Sequence, residues 1–93
     1  MKLYNTSNHP KGFQKQPTFE IRENKVYTTT DHPDGAYPDA WYEVRDEKIY
    51  PSANHPQGSP QNVPWYVIKE EKVFPALGHP HGAQPEHWFE IKN

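Results

Sequence analysis

One short phrase, written four times, constrains this chain more than any other feature. The copies begin at Lys2, Lys25, Lys48 and Lys72, so the period is 23, 23 and then 24 residues. Each copy runs Lys, an aliphatic, an aromatic, a polar stretch, His-Pro-x-Gly, a second polar stretch, an aromatic pair, an acidic residue or Val, then Ile or Val and a basic residue; Thr18 replaces the first aromatic of the pair in the first copy. A unit this short cannot bury its own apolar face, so the copies must stack or close on one another. We therefore expect one domain over residues 1–93, divided into repeats 2–24, 25–47, 48–71 and 72–93.

Leu, Ile, Val and Phe are scarce, at 15 of 93 residues, a level that often accompanies disorder. Disordered chains are also poor in aromatics and strongly charged, whereas this one has 13 aromatic residues and a formal charge of −2. Its Pro and Gly residues recur at fixed phase, as turn chemistry does. A near-neutral balance of charge gives no electrostatic footprint for nucleic acid. No stretch approaches the ~20 apolar residues of a membrane span, and residues 1–20 contain no signal-like apolar run. The absence of cysteine suits a reducing compartment, so the expectation is a cytoplasmic protein without membrane or nucleic-acid partners. Nothing in the chain fixes its oligomeric state.

The segments Phe19-Glu20-Ile21-Arg22, Tyr42-Glu43-Val44-Arg45, Tyr66-Val67-Ile68-Lys69 and Phe89-Glu90-Ile91-Lys92 are β-branched and aromatic and read as strands. Three are followed, after two polar residues, by Lys25-Val26-Tyr27, Lys48-Ile49-Tyr50 or Lys72-Val73-Phe74, a spacing for tight hairpins. If Arg45 faces Lys48, one face of the hairpin carries Tyr42, Val44, Ile49 and Pro51. The other carries Trp41, Glu43, Arg45, Lys48 and Tyr50. The expected core takes one aliphatic from each strand: Leu3, Ile21, Val26, Val44, Ile49, Ile68, Val73 and Ile91. Met1-Lys2-Leu3-Tyr4 and Trp88-Phe89-Glu90-Ile91-Lys92 each lack a hairpin partner. Pairing residues 2–5 with 89–92 would supply a fourth hairpin and remove both exposed edges. The expected fold is all-β: a pseudo-four-fold ring of four short β-hairpin repeats closed by its N- and C-terminal strands.

This layout, with its Lys-aliphatic-aromatic, His-Pro-x-Gly and Trp-aromatic-Glu-aliphatic-basic phrase, resembles the small bacterial domains described as a four-fold beta flower. The resemblance covers the whole chain and implies a ring of four hairpin units around an axis. It implies no activity, cofactor or catalytic residue.

Two repeated elements carry the candidate chemistry. His9, His32, His55 and His79 each open a His-Pro-x-Gly turn, preceded by Asn8, Asp31, Asn54 or Gly78. As structural groups, these rings pack on neighbouring aromatics or bond to the loop backbone. As a functional set, they converge on the axis and offer nitrogens to Zn, Ni or Cu. Trp41, Trp65 and Trp88 share one position, either as packing anchors or as aromatic platforms for a glycan or peptide, with Thr18 leaving the first site defective. Pseudo-symmetry argues against catalytic use of Glu20, Glu43 and Glu90, because paired catalytic carboxylates need unlike environments.

The leading expectation is a non-enzymatic binding module that recognises a protein or small ligand through His9, His32, His55, His79, Trp41, Trp65 and Trp88, without a cofactor. One alternative is a metal protein holding Zn or Ni on the four His. Another is a structural or docking module of a larger bacterial or phage assembly.

Overall fold

A computed structural model describes residues 1–56 and 61–92. Eight four-residue strands make up its regular structure: β1 (Lys2–Asn5), β2 (Phe19–Arg22), β3 (Lys25–Thr28), β4 (Tyr42–Arg45), β5 (Lys48–Pro51), β6 (Tyr66–Lys69), β7 (Lys72–Pro75) and β8 (Phe89–Lys92). Each pairs antiparallel with its sequence neighbour, and β1 pairs with β8, so the sheet is a closed barrel. The ladder Lys2↔Lys92, Leu3↔Ile91, Tyr4↔Glu90 and Asn5↔Phe89 makes the fourth hairpin out of the two chain ends. Two equal extents of 29 Å and a third of 21 Å give the disc shape expected of four units around one axis.

The polar pairs between the strands form the hairpin tips. Glu23-Asn24, Asp46-Glu47 and Glu70-Glu71 all have φ between 49° and 65°, the left-handed pair of a type I′ turn. Of these six residues only Asn24 and Asp46 are of types usual there. The turn's twist matches that of the flanking strands, and the flanking ladder holds five acidic residues in a conformation that side chains disfavour. The register is the expected one, with Arg45↔Lys48, Val44↔Ile49 and Glu43↔Tyr50. Across a junction between hairpins, however, Val26 meets Tyr42, while within the next hairpin Val44 meets Ile49. This stagger tilts the strands and lets the barrel close.

Tilt sorts the inward side chains into layers drawn from alternate strands. Phe19, Tyr42, Tyr66 and Phe89 form the layer nearest the long loops, above Leu3, Val26, Ile49 and Val73 in the middle. Ile21, Val44, Ile68 and Ile91 lie toward the hairpin tips. The middle layer is essentially sealed, whereas Ile21, Val44 and Ile68 are only partly buried and pack against the core. The expected core is thereby corrected. Every aliphatic named for it points inward, yet a whole aromatic layer was missing, and three aliphatics at the tips are only partly buried at the barrel mouth.

Outside, the half-buried aromatics are covered by the basic residues of their own hairpins. The guanidinium carbons of Arg22 and Arg45 lie 4.1 and 4.0 Å from the ring centres of Tyr27 and Tyr50, and Lys92 lies 5.3 Å from that of Tyr4. The carboxylates of Glu20 and Glu90 lie near Arg22 and Lys92 of their own strands, at 3.6 and 3.9 Å.

Candidate functional site: an axial cavity ringed by histidine and tryptophan

All four long loops leave from the end of the barrel opposite the hairpin tips. Each starts by reaching back to the neighbouring repeat: the hydroxyls of Thr6, Thr29 and Ser52 donate to the carbonyls of His87, Pro17 and Ala40. The same oxygens accept the amides of Asn8, Asp31 and Asn54. Ala76 holds this place in the fourth repeat and has no hydroxyl. Then comes the His-Pro-x-Gly turn, closed by the Gly12, Gly35 and Gly82 amides donating at 2.8 Å to the His9, His32 and His79 carbonyls. These glycines have φ of 75–79°, which is why the motif ends in Gly. Gly58 lies outside the described residues.

Within each described turn the imidazole is locked by its own loop. The amides of Lys11, Asp34 and His81 donate to Nδ1 of His9, His32 and His79 at 3.1, 3.0 and 3.1 Å. A neutral imidazole that accepts at Nδ1 carries its proton on Nε2. Burial lowers the pKa of all four rings, reinforced at His9 by Lys11 and at His79 by His81 and His9, so that His9 and His79 fall to about 4. At His32, Asp34 works against that shift. All four are held neutral at physiological pH.

The predicted residues do come together, as an alternating ring. Trp41 packs edge-on between His32 and His55, with centroids at 5.0 and 5.8 Å. Trp65 lies between His55 and His79 at 4.5 and 5.1 Å, and Trp88 between His79 and His9 at 5.1 and 5.3 Å. The place between His9 and His32 belongs to Thr18, whose hydroxyl bonds Oδ1 of the buried Asn5 at 2.9 Å. The three Trp side chains are buried at 5–7% exposure, so none presents an open face to solvent. With indoles between them the imidazoles stand apart, and among the described residues no three His, Asp or Glu groups gather to hold a metal ion.

The ring surrounds a floor of four aromatics. Phe19, Tyr42, Tyr66 and Phe89 contact one another in a closed cycle, each edge-to-face with the next at 5.6–6.0 Å. Each His also packs on one floor residue. On the Tyr side these contacts are polar: His79 Nε2–H donates to Tyr66 Oη at 3.1 Å, and His55 Nε2 shares a 3.0 Å hydrogen bond with Tyr42 Oη. Burial holds both phenols well above their ordinary pKa. On the other side His9 meets Phe89 and His32 meets Phe19, each at 5.0 Å, and no hydroxyl is there to receive Nε2–H.

Above this floor opens a cavity of about 450 Å³ whose wall includes Asn5, His9, Thr18, His32, Trp41 and His55, with Lys11, Asp31 and Asp34 also in its lining. No buried polar side-chain atom among the described residues lacks a partner, so Nε2 of His9 and of His32 must reach open space. Sequence reasoning named the His and Trp positions and put Tyr42 on the inward face, but missed Asn5 and the floor that Tyr42 forms with Phe19, Tyr66 and Phe89. The available signal was the Phe, Tyr, Tyr, Phe series at one inward-facing repeat position. Comparison with known proteins finds no matching family model, no matching curated protein and no matching solved structure.

Proposed function

We propose that this protein is a non-enzymatic binding module whose small ligand occupies the axial cavity at the His-Pro loop end. One observation carries this reading: a concavity of ligand-binding size, largely aromatic, contains two imidazole N–H donors without an acceptor among the described residues. Donors fixed at Nδ1 by the backbone are pre-organised, so little ordering cost attends their use. Four near-equivalent, neutral imidazoles and two high-pKa phenols offer no acid-base pair poised for turnover. Kinship with the four-fold beta flower domains remains part of the same proposal, supported by four hairpins around one axis.

A fragment screen followed by amide and imidazole NMR tests the reading. Binders should shift the resonances of His9, His32, Tyr42 and Tyr66 and leave the hairpin-tip residues Glu23, Asp46 and Glu70 unmoved. Shifts confined to the tips or the outer barrel face would contradict it.

A further inference from the structure

We infer that the gap between His9 and His32 is a subsite for a planar aromatic group bearing a neutral hydrogen-bond acceptor, an inference that rests on the axial cavity being the binding site.

The fold itself shows what such a slot holds. At three of the four equivalent positions an indole lies edge-on between two imidazoles, with centroid separations of 4.5–5.8 Å. At the fourth the flanking imidazoles are present and the indole is replaced by Thr18, much the smaller side chain. The buried Asn5, bonded to the Thr18 hydroxyl, takes part of that space, and no aromatic ring does. Thr18, Asn5 and Gln14 all line the cavity, and Phe13, the aromatic of the loop between β1 and Thr18, is 65% exposed. A flat ring entering there would meet His9 and His32 as Trp65 meets His55 and His79.

The acceptor follows from the nitrogens. Nδ1 of His9 and of His32 is occupied by a loop amide, which leaves Nε2–H as the free donor of each. In the other half a phenol oxygen answers the equivalent atom, so the protein's own solution is an oxygen attached to an aromatic ring. Charge in the lining is mixed, Lys11 against Asp31 and Asp34, and Asp34 Oδ2 lies 4.0 Å from His32 Nδ1. That mixture gives no net pull on an anion. A carboxamide or ring carbonyl therefore fits better than a carboxylate.

Isothermal titration and imidazole ¹⁵N NMR with indole-3-carboxamide, cyclohexanecarboxamide and indole-3-carboxylate test this. The aromatic amide should bind at least about tenfold tighter than the cyclohexane analogue, since two edge contacts are at stake. It should also shift Nε2 of His9 and His32, and bind more tightly than the carboxylate. Thr18→Trp, or Thr18→Leu if the larger residue fails to fold, should abolish that preference by filling the gap. Equal binding of the aromatic and alicyclic amides, or undiminished binding in a filled variant, overturns the aromatic subsite while leaving the cavity reading intact. A preference for the carboxylate overturns the neutral acceptor. Absence of cavity shifts with every fragment overturns both readings.

Discussion

Across the barrel axis lie two halves with the same backbone and different chemistry. On one side Trp65 fills the space between His55 and His79, and Tyr42 and Tyr66 engage both Nε2 atoms. On the other side Thr18 stands between His9 and His32, and Phe19 and Phe89 lack the hydroxyls. The turns, the Nδ1 locks of the described turns and, outside the fourth repeat, the hydroxyl anchors occur in both halves, so they belong to the fold. What differs is one indole and two oxygens, and the difference concentrates in one wall of one cavity. Repetition thus provides an internal control: features kept in every copy hold the ring together, and the copy that departs opens it.

The largest test of this contrast is to open the closed half. Trp65→Ala removes a buried indole and should cost about 3–5 kcal/mol in chemical denaturation. Thr18→Ala on the open side should cost only about 1 kcal/mol, the loss of the bond to Asn5. Comparable losses at the two sites would mean that Thr18 is packed as tightly as Trp65, and that the halves are alike.

Acid should act on both halves together. The four His pKa values lie below that of an unfolded His, so the unfolded chain binds more protons in the interval between them, and stability must rise with pH there. It is complete above about pH 6.5 and is lost as pH falls toward about 4, where His9 and His79 take up protons in the folded state. Thermal melts across that window, with imidazole NMR titrations, check this. A folded-state pKa at or above 6.5 for His9 or His79 would break the neutral-lock account.

Smaller changes should exchange the character of the halves. Tyr66→Phe strands His79 Nε2–H and should cost about 1–2 kcal/mol, whereas Phe89→Tyr gives His9 an acceptor and should gain up to about 1 kcal/mol. Opposite signs in paired melts are the expected result. Ala76→Ser restores the missing loop anchor, with Pro64 O as acceptor and the Gly78 amide as donor, and should stabilise by about 0.5–1 kcal/mol.

Much of the architecture was legible because a period and two unpaired end strands leave few ways to bury eight short strands. Hairpin register was legible only as a condition, Arg45 facing Lys48, from which alternation sorted the faces; the β1–β8 closure followed from the missing partners of the first and last strands. The aromatic floor was not legible. Alternation placed Tyr42 on the inward face, but only the stagger at each junction determines that Tyr42 converges on the axis while Val44 opens toward the tips. The functional asymmetry was half visible: Thr18 stood out among the Trp residues, yet its pairing with Asn5 and its position beside Phe19 and Phe89 depend on which loops become neighbours. Likewise the sequence supplied four His but not their Nδ1 locks, which require the backbone path of the turn.

Thr18 puts a small side chain where an indole would complete the ring of imidazoles and indoles. The denaturation midpoint of Thr18→Trp, measured beside the parent protein without ligand, tests it most directly. A higher midpoint is expected, because the apolar area an eighth ring buries between His9 and His32 outweighs the lost Thr18–Asn5 hydrogen bond, worth about 1 kcal/mol. A loss of roughly 1–3 kcal/mol, the usual cost of forcing a larger side chain into a filled site, would contradict it.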